Sequence, residues 1–115
     1  MPRDANLYLA DILEACRRIG DYVVGLNFTS FVDDTRTTDA VLRNLEILGE
    51  AVKKLPPTML AEAPEIPWRD VAGLRDVLAH AYFSVDLGLI WDIVQNELPA
   101  LEAATRRLGA PGDGA

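Results

Sequence analysis

Apolar residues recur at spacings of three and four along nearly the whole chain, and this periodicity restricts the possible folds more than any other feature. Such spacing places one face of a helix against neighbouring helices. Sustained alternation of apolar and polar residues, typical of a half-buried strand, is not seen. We therefore predict an all-α fold, an up-and-down helical bundle of four to five helices. The clearest stripe is Val41, Leu45, Leu48, Val52 and Leu55.

Capping residues, glycines and prolines indicate where the helices begin and end. Asp4 is the expected N-cap of the first helix, and Gly25 is expected to end it. Pro99 interrupts the last helix, so we expect a kink there, or a break with Asn96 as a new N-cap. The predicted helices cover about residues 5–24, 38–55, 67–83 and 86–108.

Length, charge and cysteine content exclude several classes of protein. The 115 residues suffice for one domain, and a single cysteine, Cys16, permits no internal disulfide framework, which fits a reducing cytoplasm. No apolar run is long enough to span a membrane, and no signal peptide is evident. The formal net charge of −7 opposes general affinity for nucleic acid, so any contact with RNA should be local. The Gly- and Pro-rich residues 109–115 are predicted to be a disordered tail.

The chemically distinctive stretch is "RDVLAHAYF", residues 75–83, which holds the only histidine of the chain. On a helical wheel, Arg75, Asp76 and His80 border the polar side. Asp76 lies one turn before His80, so the two side chains can hydrogen-bond. Phe83 lies on the same polar side, which suggests that a second subunit covers part of it. The opposite arc, expected to face the core, consists of Val71, Leu74, Val77, Leu78 and Ala81.

A histidine, an arginine and a carboxylate together suit metal-independent cleavage of RNA. The imidazole can move protons near neutral pH, and the guanidinium can stabilise charge on phosphate oxygens. Acid and base roles usually need two groups, so a two-fold dimer would complete the set. Spacing alone, however, favours an ordinary solvated or ion-paired helix face. Glu50, which follows Gly49, is either a buried partner for Arg75 or simply a surface residue, and Gly49 can permit close helix packing.

The same stretch resembles the signature of the HEPN superfamily, in which Arg and His are separated by four to six residues and a polar residue adjoins the Arg. The tyrosine two residues after the histidine, Tyr82, narrows the resemblance. The segments "RTTDAVLRNLEILGEAVKKL", "PEIPWRDVAGLRDVLAHAYFSVD" and "LIWDIVQNELPALEA" resemble, in that order, the HepT family. HepT is the toxin half of the HepT–MntA toxin–antitoxin systems. The resemblance covers nearly the whole chain and predicts one HepT-like helical domain over residues 1–108.

This resemblance implies a homodimeric ribonuclease that needs no metal and no cofactor. Arg75 and His80 would be the catalytic pair, with Asp76 as the adjoining polar residue. Tyr82 would receive AMP from an MntA-like nucleotidyltransferase, the antitoxin, and the added negative charge would block RNA binding. Two alternatives remain open from the sequence. One is a non-catalytic helical module that binds a nucleotide or a partner, and the other is a scaffold whose only role is its dimer surface.

Overall fold

The computed structural model describes residues 4–80 and 84–109, and both ranges consist of helices joined by short turns, without a strand. The all-α prediction is confirmed. Four long helical segments are present there, with two short helices between them. The helices are α1 (Ala5–Val23), α2 (Phe28–Asp33), α3 (Thr35–Lys53), α4 (Pro57–Leu60), α5 (Trp68–His80), α6 (Leu87–Asp92) and α7 (Leu98–Gly109), with a π-helical turn at Ile93–Glu97.

Helix α3 is central, because it packs against both α1 and α5, while α1 also packs against α7. Its apolar stripe is buried as predicted. Each such side chain contributes about 1.5–3 kcal/mol when it is fully removed from water. The position of α5 is therefore set mainly by its contact with α3. The largest fully buried apolar side chains are Phe31, Ile12, Ile19, Leu45, Leu48, Leu78, Val41 and Val52.

Helix α1 begins and ends where the sequence predicts. The Asp4 carboxylate accepts a hydrogen bond from the Asn6 backbone N–H at 2.7 Å. Gly25 follows the helix with a φ of 78°, a left-handed conformation that glycine adopts at little cost. A buried tryptophan precedes the site-bearing helix: Trp68 donates its indole N–H to the Ala63 carbonyl at 2.9 Å. That bond ties the start of α5 to the preceding loop.

Helix α3 begins earlier than predicted, at Thr35 instead of near Thr38. The cause is Asp34, whose carboxylate accepts from the Thr37 backbone N–H at 3.1 Å and from the Thr37 hydroxyl at 2.7 Å. An acidic N-cap satisfies N–H groups that have no partner within the helix. The extra turn lies far from α5 and does not change how α3 meets it.

Pro99 causes the expected irregularity, but the proposed new N-cap at Asn96 is wrong. The chain continues from α6 into α7 through the π-helical turn Ile93–Glu97, and Asn96 lies inside that turn. Its side chain donates to the Asp92 carboxylate at 2.6 Å. In a regular α-helix the proline ring would collide with the carbonyl four residues earlier, and the wider turn relieves that collision.

Among the described residues of the predicted core arc of α5, the prediction is correct except at Val77. Leu78 is buried, and Val71 and Leu74 are partly buried against the core, but Val77 is 55% exposed. On the wheel, Val77 lies about 60° beyond Leu74 and falls outside the narrow sector that α3 covers. The predicted end of this helix at Phe83, together with Ala81, lies outside the described residues.

Within residues 4–80 and 84–109, no helix combines the length and the apolar character needed to cross a membrane. Helix α7 includes Gly109, and the remainder of the predicted tail lies outside the described residues.

Candidate functional site

The site is built where α3 crosses α5 at Gly49. A Cβ atom at this position would lie 2.8 Å from the Arg75 backbone nitrogen and 2.9 Å from the Val71 carbonyl oxygen. Side-chain carbons do not approach backbone atoms so closely, so the crossing requires glycine. The prediction that Gly49 permits close helix packing is confirmed. As a result, the backbone of Arg75 is fixed against the middle of α3.

Arg75 extends from this crossing towards α3. Its Nε lies 3.0 Å from the Glu50 carboxylate in an ion pair, and its Nη1 donates to the Asp76 carboxylate at 3.4 Å. The side chains of Arg75 and Glu50 are 36% and 44% exposed. Glu50 is therefore the partner of Arg75, one of the two alternatives left by the sequence, but the pair is half-exposed and not buried.

The Asp76 carboxylate contacts cations on both helices. Lys53 Nζ on α3 lies 3.4 Å from it, and the Arg75 guanidinium contacts the same oxygen. The Lys53 ammonium, and secondarily Arg75, holds the pKa of Asp76 below its usual value. Asp76 is consequently ionised at neutral pH. It forms, with Glu50, a bridge of alternating charge between α3 and α5.

His80 does contact Asp76, but through the backbone. Its Nδ1 lies 2.8 Å from the Asp76 carbonyl oxygen, and no side-chain bond to the carboxylate is among the contacts of the described residues. Side chains on a helix tilt towards its N-terminus, which brings the imidazole onto the preceding turn and the carboxylate away from it. A carbonyl oxygen can only accept, so Nδ1 carries the proton. In the neutral form of this exposed imidazole, the lone pair is then on Nε2.

Asp76 thus connects the two proposed catalytic residues, with its carboxylate on Arg75 and its carbonyl on His80. Arg75 and His80 themselves point in different directions, because five residues of a helix turn through about 500°, which separates them by about 140°. Tyr82, the proposed modification site, lies outside the described residues.

An open groove of about 370 Å³ adjoins the Arg75 side of α5. Helix α1 contributes Tyr8 and Asp11 to its lining, α3 contributes Glu50, and Lys54 is the C-cap residue of α3. Sequence reasoning missed both this groove and the contact of Lys53 with Asp76. The spacing of Glu50, Lys53 and Lys54 at three and four places them on one side of α3. That spacing could have suggested a shared role, but not which helix they face.

No group of three or more His, Cys, Asp or Glu side chains in the described parts of the chain is arranged to hold a metal ion. Cys16 is buried in the core, and burial raises the pKa of its thiol to about 12. This thiol is therefore not a candidate nucleophile.

Comparison with known proteins gives one family match and several relatives. The family model described as ribonuclease HepT-like matches residues 12–108. A relative from Thermococcus cleftensis, named "Probable ribonuclease HepT", is 42% identical over 108 residues, which are 94% of this chain and 98% of the relative. A relative from Methanocaldococcus jannaschii that carries the name "Putative RNase" is 44% identical over 100 residues, 86% of this chain and 83% of the relative.

A third relative, from Caldanaerobacter subterraneus and also named "Putative RNase", is 41% identical over 101 residues, covering 88% of this chain and 90% of the relative. No solved structure matches the chain. The family match and these identities extend over most of the described helices, including α3 and α5. The chain belongs to the HepT-like ribonuclease family of HEPN-type proteins.

Proposed function

We propose that this protein is a metal-independent endoribonuclease that cleaves RNA at a site shared between two copies of the chain. The observation that carries the proposal is the hydrogen bond of His80 Nδ1 to the Asp76 carbonyl. It orients an exposed imidazole with the free lone pair on Nε2, the form that a general base requires. Membership in a ribonuclease family supports RNA as the substrate.

In the proposed reaction, Nε2 of His80 takes the proton of a ribose 2′-hydroxyl. The 2′-oxygen attacks the adjacent phosphorus and forms a P–O bond, while the bond from phosphorus to the 5′-oxygen of the next nucleotide breaks. That oxygen receives a proton from a second acid. The Arg75 guanidinium stabilises the charge on the non-bridging phosphate oxygens, as a group that stays protonated throughout.

A second copy of the chain supplies the second acid in this proposal. The chain has a single histidine, and Arg75 turns towards α3 while His80 faces solvent. Val77, a β-branched apolar residue, is 55% exposed about 60° from His80 on the wheel. An apolar residue beside an exposed proposed catalytic residue suits contact with another protein surface. A homodimer joined through this side of α5 would place two His80 imidazoles near one phosphate.

The physiological role we propose is that of a cytoplasmic toxin, neutralised by an MntA-like nucleotidyltransferase. The Tyr82 hydroxyl would attack the α-phosphorus of ATP, so that a bond from tyrosine oxygen to phosphorus forms and pyrophosphate leaves. The attached AMP would bring negative charge close to the Arg75–His80 region and repel the RNA backbone. Co-expression with the nucleotidyltransferase should add one AMP to the wild type and none to Tyr82→Phe, as read by intact mass.

The decisive experiment compares cleavage of a labelled RNA by the wild type and by His80→Ala, in buffer with a chelator. We expect the variant to lose activity by about 100-fold or more, the usual contribution of a positioned acid–base group. Equal rates in both proteins would refute the mechanism. RNA binding without cleavage by either protein would instead favour the non-catalytic binding module.

Val77→Asp tests the shared site. It should convert the dimer to monomer in light scattering and reduce cleavage in parallel, because a charge is costly in an apolar interface. The matched control is Val24→Asp, at a valine after α1 that is 79% exposed, against 55% for Val77. A fully active monomer of the Val77→Asp variant would reject the composite site.

A further inference from the structure

The ion pair between Glu50 and Arg75 differs from the other surface pairs of the described chain in its setting. It joins two helices directly beside their closest crossing, since Glu50 follows Gly49 and Gly49 abuts the Arg75 backbone. Both ends of the pair are consequently anchored on backbones that cannot slide apart. Most exposed pairs here, such as Arg17 with Glu14, connect residues of one helix.

We propose that Glu50 is the positioning residue of the Arg75 guanidinium, and this inference rests on the ribonuclease function proposed above. Glu50 contacts Nε, the nitrogen nearest to the helix, at 3.0 Å. A carboxylate there fixes the side chain while the planar end of the guanidinium continues beyond it. Arg75 is thereby directed into the groove that it lines with Tyr8 and Lys54. The ion pair thereby keeps the guanidinium at the rim of this groove.

The charges around the pair indicate that Glu50 positions Arg75 and does not simply neutralise its charge. Lys54 lies 3.9 Å from Glu50, and Lys53 lies 3.4 Å from Asp76, so each carboxylate is shared between Arg75 and a lysine. The five side chains carry three positive and two negative charges. Asp11, Arg43 and Glu46 also line the groove, so positive and negative charges balance around it. In a chain of net charge −7, a region of balanced charge opposes phosphate less than the average surface does.

A positioned guanidinium acts mainly on the transition state, because it costs no reorganisation when charge develops on the phosphate oxygens. Loss of Glu50 should therefore lower kcat more than it raises KM. The test measures kcat and KM for RNA cleavage by the dimeric wild type, Glu50→Ala and Glu50→Gln. We expect kcat to fall about 10-fold in Glu50→Ala. The glutamine variant, which keeps an acceptor oxygen, should recover part of that loss.

The matched control is Glu65→Ala. Glu65 is also half-exposed and also pairs with an arginine on another element, Arg107 of α7, but it lies in the loop before α5 and its partner is not a proposed catalytic residue. The control should retain the wild-type kcat. Glu50→Ala is also measured in the Arg75→Lys background, to show whether Glu50 acts through Arg75. Lysine has no Nε–H in that position, so Glu50→Ala should lower kcat little further there.

A second measurement does not depend on catalysis. In the wild type, the Arg75 Nε–H should exchange with water slowly in ¹H–¹⁵N spectra, and Glu50→Ala should speed its exchange. An unchanged or increased kcat in Glu50→Ala, or an equal loss in the Arg75→Lys background, would overturn the positioning role. A wild type that does not cleave RNA would overturn the ribonuclease function instead, and the exchange rates would still decide whether Glu50 holds Arg75.

Discussion

Helix α5 presents two contrasting faces. The packed face, formed by Val71, Leu74, Leu78 and Arg75, lies against α3 or is tied to it by Glu50. The open face, formed by Asp76, Val77 and His80, is exposed, although the Asp76 carboxylate reaches back to Lys53. One short helix therefore carries a proposed phosphate-binding group on a rigid side and a proposed proton-transfer group on an accessible side.

This contrast assigns different physical requirements to the two proposed catalytic residues. An electrostatic stabiliser is effective when it is fixed before charge develops, and the packed face fixes Arg75 through helix crossing and an ion pair. A proton-transfer residue must reach the substrate and exchange protons with water, and the open face leaves His80 exposed. Stability and access are thus divided between two sides of the same helix.

The largest test of the contrast compares two neighbouring residues of α5. Leu78→Ala should lower the free energy of unfolding by about 3 kcal/mol, because it leaves a cavity in a core position that is 1% exposed. Val77→Ala should change the stability of the protomer by less than about 0.5 kcal/mol, as is usual for surface positions. Urea unfolding at low protein concentration measures both. Similar losses in the two variants would show that the two faces are not energetically distinct.

A smaller loss of stability is expected when the crossing of α3 and α5 is disturbed. Gly49→Ala should cost about 1–3 kcal/mol, because the new Cβ would meet backbone atoms that cannot yield without moving α5. Cleavage should fall as well, since Arg75 moves with that backbone. The matched control is Gly73→Ala on α5, where a Cβ would meet nothing within 4 Å and alanine should stabilise the helix by up to about 1 kcal/mol. A Gly49→Ala variant with the unfolding free energy of the wild type would contradict the close crossing of α3 and α5.

The sequence predicted the packed face better than the open one. The apolar periodicity indicated α1, α3 and α5, because the burial of an apolar stripe is a repeated, local signal. Of these three helices, a capping residue was predicted only for α1, and the start of α3 was predicted too late. Val77 was assigned wrongly because the wheel gives direction but not the width of the sector that a neighbouring helix covers. A helix with only one close neighbour buries a narrow arc. The number of neighbouring helices is a property of the tertiary structure and cannot be read from the spacing of apolar residues.

The side-chain partners of the site were only partly predictable. Asp76 was expected to bond His80 through its side chain, but it does so through its backbone carbonyl. The sequence could not show that Lys53 holds the carboxylate, because that contact joins residues 23 apart in the chain. Glu50 was recognised as a possible partner of Arg75, yet the choice between partner and surface residue depends on the register between α3 and α5. Gly49 sets that register by permitting one close crossing. Electrostatic partners across helices thus follow from packing and not from local spacing.

The smallest effect expected concerns the charge bridge between Lys53 and Asp76. The pKa of Asp76 is lowered in the folded chain from its usual 3.8, first by Lys53 and then by Arg75. A lowered folded-state pKa contributes stability above the usual value and loses it as the pH falls through the folded-state value. Asp76→Asn should therefore be less stable than the wild type at pH 7, by less than Gly49→Ala, because the pair is exposed and screened by water.

That difference between wild type and Asp76→Asn should shrink below pH 3.8 and vanish at lower pH, where both side chains are neutral. Urea unfolding of both proteins at neutral and acidic pH measures it, with Lys53→Met as the background that removes the principal cation. In that background the difference should already be small at pH 7. A difference that grows on acidification would mean that Asp76 is protonated more readily in the folded chain than in the unfolded chain. That result would contradict a stabilising charge bridge between Asp76 on α5 and Lys53 on α3.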